Sequence, residues 1–62
     1  MITPMFADRL EIRHHDDREP TVYCDVRYWP YGGGEYVDIL GPDGRVLVTH
    51  EDVLNTVAGP RS

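Results

Sequence analysis

Two glycine- and proline-bearing breaks, Pro30-Tyr31-Gly32-Gly33-Gly34 and Gly41-Pro42-Asp43-Gly44, cut residues 21–49 into three short stretches that alternate apolar and polar side chains. Consecutive glycines lose much chain entropy when ordered, and proline has no N–H for a ladder, so the first break predicts a hairpin loop. The second offers proline with its preset φ, then Asp and Gly, which is the chemistry of a tight turn. Strands over residues 21–29, 35–40 and 45–49 therefore form an antiparallel meander. In the first of them Val22, Cys24, Val26 and Tyr28 are expected on one face, and Thr21, Tyr23, Asp25, Arg27 and Trp29 on the other. Val37 and Ile39 continue the apolar side.

Upstream, residues 9–15 alternate Leu10, Ile12 and His14 against Arg9, Glu11, Arg13 and His15, which predicts one more strand. The polar run from His15 to Pro20 has no period and reads as its connecting loop. Downstream, Thr49 and Asp52 resemble a capping box, and Gly59-Pro60 supplies a stop, so a short helix is expected over residues 50–58. Its Val53, Leu54, Val57 and Ala58 would form a stripe packed on one sheet face. The expected fold is α+β and mainly β: a three- to four-stranded antiparallel meander with a C-terminal helix on one side. Residues 1–8 are expected as an arm, either one turn capped by Thr3 or extended and covering, and residues 59–62 as a tail. Sixty-two residues allow one domain with a modest core, for which support from a partner is a reasonable expectation.

Eleven acids against six arginines and no lysine give a formal charge of −5, which opposes non-specific binding to nucleic acid or an anionic membrane and favours a basic partner. Exclusive use of arginine, with no glutamine and a single asparagine, points to a GC-rich coding sequence of the kind found in actinobacteria and their phages. Neither a basic leader with an apolar segment behind it nor an apolar run long enough to cross a bilayer is present, so a cytoplasmic location is expected. Cys24 has no second cysteine with which to form a bridge or a zinc site.

No catalytic residue, cofactor or metal is expected. Adjacent His14 and His15 point to opposite faces of a strand, so only His14 with Asp16, or His15 with Asp17, could meet one ion, and a solvated strand end accounts for them better. His50-Glu51-Asp52 is absorbed by the expected helix start. Placed between Val22 and Val26, Cys24 reads as a small buried hydrophobe, whereas a reactive thiol needs an electropositive setting. The glycine triplet matches no phosphate-binding loop and has no lysine after it.

Tyr23, Tyr28, Trp29, Tyr31 and Tyr36 fall within fourteen residues, with Arg27 among them. If the helix covers the aliphatic face, Tyr23, Arg27, Trp29 and Tyr36 lie on the opposite one, beside Tyr31 in the loop, where a single sheet has no second layer. Tyr, Trp and Arg are enriched at binding hot spots because they bury large area and keep a polar handle. The expected function is therefore a non-enzymatic protein-interaction module, an accessory or regulatory protein whose partner-binding residues are Tyr23, Arg27, Trp29, Tyr31 and Tyr36. Its partner is another protein chain, either a second copy or a host protein. Two alternatives stand beside it: single-stranded nucleic-acid binding by stacking on these rings, disfavoured by the charge, and an accessory subunit of an enzyme complex. A covering arm that carries Ile2, Met5 and Phe6 would make the aromatic face a second small core instead.

Overall fold

Strand propensity runs further along the chain than the alternating stretches alone predict. The computed structural model describes residues 4–60, which build one antiparallel sheet from β1 (Met5–His14), β2 (Thr21–Tyr31), β3 (Tyr36–Leu40), β4 (Val46–His50) and β5 (Val53–Gly59). The strand order is β4-β3-β2-β1-β5. The meander of the middle strands is present, with Tyr28 opposite Ile39 and Ile39 opposite Val48. Both turns close as their residues require: Gly44 N donates to Gly41 O at 2.9 Å with Gly44 at φ +86°, and Gly34 N donates to Tyr31 O at 3.2 Å.

The expected C-terminal helix is absent, and the sheet has five strands in place of three or four. Residues 53–59 pair with the free edge of β1, from Val53 opposite His14 to Gly59 opposite Arg9. Asp52 enters this segment at φ +53°, a left-handed turn that no helix N-terminus uses, and Val53, Thr56 and Val57 are β-branched. The helical stripe also dissolves: Val53 is buried, whereas Leu54, Val57 and Ala58 are exposed. A register shift beside Leu54 sets Val53 and Thr56 inward three residues apart, the spacing that imitates a helix. Met5, Phe6 and Ala7 belong to β1 and not to an arm; the expectation for residues 1–3 lies outside the described residues.

Two residues, Glu51 and Asp52, connect β4 at one edge to β5 at the other. Across a flat sheet those strands would stand about 19 Å apart, four spacings of about 4.8 Å. Three Cα–Cα steps reach only about 11 Å. The sheet is therefore rolled so that the end of β4 meets the start of β5. Two hydrogen bonds lock the meeting point: His15 N donates to Asp52 O at 3.2 Å, and Val53 N donates to Glu35 O at 3.0 Å.

The roll encloses Ala7, Leu10, Ile12, Val26, Tyr28, Val37, Ile39 and Val53, with Tyr23 packed against them. The inward set changes parity once in each long strand. In β1 it passes from Ala7 to Leu10, and in β2 from Tyr23 to Val26, at the level where Asp25 takes φ +53°. That left-handed residue exchanges the faces of β2, which corrects the single apolar face expected for it: Val26 and Tyr28 point inward, but Val22 and Cys24 are exposed. Cys24 is thus not the buried hydrophobe its neighbours suggested. β2 also runs through Pro30, which among the described residues pairs with β3 alone, the described β1 ladder ending at Met5 opposite Tyr28.

Burial sets the first prediction. Leu10→Ala is expected to cost about 2–5 kcal/mol in urea unfolding, whereas Leu54→Ala, 57% exposed, should cost about 0.5 kcal/mol or less. A loss at Leu54 equal to that at Leu10 would restore a packed helical stripe and overturn β5.

Candidate protein interface on the outer sheet face

Because opposite partners in an antiparallel ladder share a face, the registers can be read across the sheet as rows. One outward row runs Phe6–Arg27–Leu40–Val46 through β1, β2, β3 and β4. The next runs Trp29–Asp38–Thr49, and the last pairs Tyr31 with Tyr36. Phe6 is 60% exposed and Val46 54%, while Trp29 and Leu40 are half-buried. Pro4, Trp29, Asp38, Leu40, Gly44 and Val46 line a shallow depression on this face, and a second depression beside it reaches Phe6 and Arg27.

Each aromatic group is fixed by its neighbours. The Tyr31 and Tyr36 rings stack with centroids 5.3 Å apart and planes 21° from parallel. This stack depends on Gly32, at φ +64°, where a Cβ would stand 2.7 Å from Cδ2 of Tyr36. Asp38 Oδ1 accepts from the Thr49 hydroxyl at 2.8 Å and from the Tyr31 hydroxyl at 3.3 Å. Desolvation, and then the charge of Asp38, hold the Tyr31 hydroxyl above its ordinary pKa, so it remains a donor. Arg27 Nη1 donates to Pro42 O at 2.8 Å, which ties the β3–β4 turn to β2.

Of the five residues singled out from the sequence, Arg27, Trp29, Tyr31 and Tyr36 come together on this face. Tyr23 does not. The parity change at Asp25 turns it to the inner side, where it packs on the core and its hydroxyl lies 2.7 Å from Nε2 of His50. Sequence reasoning missed Leu40 and Val46 and treated Phe6 only as a cover. The available signal was the length of β1: extended to Met5, it places Phe6 opposite Arg27.

His14, expected at a solvated strand end, and His50, expected at a helix start, form an inner group instead, while His15 is exposed. His14 is buried, its Nε2 3.3 Å from Thr21 Oγ1, and its Nδ1 has no hydrogen-bond partner among the described residues. Its ring centroid is 6.1 Å from that of His50, which the Tyr23 ring meets edge-on at 5.7 Å. Burial, then the neighbouring His14 and Arg18, lower the His50 pKa, and burial raises that of Tyr23, so the pair meets as a hydroxyl and a neutral imidazole. Among the described residues no three His, Cys, Asp or Glu side chains are grouped to hold a metal ion. Among the described residues there is no helix long and apolar enough to cross a membrane.

No family model matches the chain, and neither a curated protein nor a solved structure matches it.

The inner group generates a pH prediction. His50 titrates below its ordinary value of 6.5 in the folded chain, so the unfolded chain takes up the proton first as pH falls. Its contribution is complete above about pH 6.5 and is lost as pH falls through the folded value. Urea midpoints of the wild type should therefore drop between about pH 7 and pH 5, and those of His50→Gln should change less. The carboxylates lowered by arginine, Glu11 beside Arg13 and Asp16 beside Arg18, act only further down, below 4.5 and 3.8.

Proposed function

We propose that the chain is a small non-enzymatic protein-interaction module, accessory or regulatory in role, which docks another protein on its outer sheet face. The observation that carries this reading is the row Phe6–Arg27–Leu40–Val46, which no other described strand covers, with Trp29 and the Tyr31–Tyr36 stack beside it. Contiguous apolar side chains of this size, rimmed by polar ones, mark association sites on soluble proteins. The net charge of −5, with Asp38 in the middle of the face and Asp43 at its margin, fits a partner surface that combines apolar side chains with Lys or Arg.

The stacked tyrosines with Arg27 nearby also favour a second reading, in which unpaired nucleic-acid bases stack on the rings. Arg27 is engaged by Pro42 O, and Asp38 would face the phosphates, so the protein partner is the stronger reading.

Affinity for a partner recovered from the native host is expected to fall by about 2 kcal/mol, roughly thirtyfold, in Phe6→Ala and in Trp29→Ala, with unchanged far-UV circular dichroism. Val22→Ala, in the separate outward row Val22–Glu11–Val57, should bind as the wild type does. Binding that survives both aromatic substitutions would overturn the reading. A steep fall with moderate salt would move it to nucleic acid.

A further inference from the structure

Among the described residues β4 is an edge strand of the sheet, paired with β3 alone. An edge strand turns half of its N–H and C=O groups outward, and soluble proteins usually protect such an edge with charge, proline or a short length. Val46–His50 holds no Asp, Glu, Lys, Arg or proline, and Leu47 and Val46 are 68% and 54% exposed. Opposite charges bracket the strand at equal distance. Arg45 lies three residues before Val48, and Glu51 three residues after it.

This symmetry identifies the partner. We infer that β4 pairs antiparallel with β4 of a second copy of this chain, across a twofold axis at Val48. Leu47 then meets Thr49 of the second copy within the ladder, and beyond its ends, past the bulge, the long Arg45 side chain flanks Glu51 of the second copy, each contact occurring twice because the interface is isologous. Thr49, opposite Asp38, lies on the outward side of β4, so the two outer faces adjoin along this edge. Arg45 now reaches Asp43 at 3.3 Å, with both side chains largely in water, so its transfer to Glu51 of the second copy breaks only a weak pair.

The bulge that brings Val46 opposite Leu40 limits the regular ladder to three central pairs, so the dimer is a weak one. Each chain also carries −5, and β4 is the stretch where two copies can approach without bringing like charges together.

Sedimentation equilibrium on the full chain tests the inference. The mass is expected to rise from 7.1 kDa at about 1 μM to twice that at several hundred μM. Leu47→Lys should weaken the dimer by about tenfold or more, and circular dichroism and Trp29 fluorescence of the monomer serve as fold controls. Arg45→Glu and Glu51→Arg should each weaken it by about tenfold, and the double variant should restore it. A monomer at every concentration, or a double variant no better than the single ones, would overturn the pairing. A dimer that resists Leu47→Lys but is lost in Trp29→Ala would also overturn it, since the copies would then meet through their outer faces. Failure here leaves partner docking on the outer face untouched, because that docking is measured with Phe6→Ala and Trp29→Ala.

Discussion

β4 and β5 are neighbours in sequence and strangers in the sheet. Only Glu51 and Asp52 lie between them, yet three other strands separate them in the ladder. A link that short cannot span a flat sheet, so the sheet must roll until its edges converge at one corner. The left-handed Asp52 makes the corner, and two backbone hydrogen bonds hold it to the end of β1 and the start of β3. Rolling then defines an inside and an outside. Leu10, Ile12, Val37 and Val53 are fully enclosed although no second layer exists, because the sheet itself wraps them. His14, His50 and Tyr23 gather on the inner side of the roll, so polar side chains end up beside the core.

A sheet that encloses its core by curving has nothing left to cover its convex side. In larger domains helices or a second sheet take that place; here every described strand is already used in the roll. Phe6, Trp29, Leu40 and Val46 therefore remain where the registers put them. Their positions are not soft. Arg27 is tied to the β3–β4 turn, Asp38 accepts from hydroxyls on β2 and β4, and the tyrosine stack is closed down on Gly32. A face already ordered loses little side-chain entropy on contact, which is the property of a good docking surface.

The turns were legible because their chemistry is local: Gly44 must take positive φ wherever the turn is placed, and Pro42 presets its own. The middle hairpins followed from them. Long-range demands were not legible. The C-terminal segment offered Val53, Leu54, Val57 and Ala58 at helical spacing, and nothing local reveals that the edge of β1 is waiting for a partner strand. A break in side-chain parity hides a strand as effectively, since it converts the period of two into a step of three. That step occurs from Ala7 to Leu10, from Tyr23 to Val26 and from Val53 to Thr56. Tyr23 was consequently assigned to the outer face and Cys24 to the core, the reverse of their places. Four of the five aromatic and arginine residues at the candidate site survived this error because they lie on the far side of Asp25, where alternation is regular.

Val46 belongs both to the outer row and to the free edge, so the two unmet demands of the fold adjoin, yet they differ in kind. An edge needs hydrogen-bond partners along a strand, which any extended backbone supplies; side chains decide only the register. Arg45 and Glu51, set evenly about Val48, encode a register that suits an identical strand run in reverse. A convex face needs shape and charge matched over area, and an identical convex face cannot provide that for rings standing out from its centre. Two copies can therefore satisfy each other along β4 without hiding Phe6 or Trp29. Pairing at the edge would present the outer faces twice on one rigid body, and a partner with two matching sites would then gain by effective concentration what each small face lacks in area.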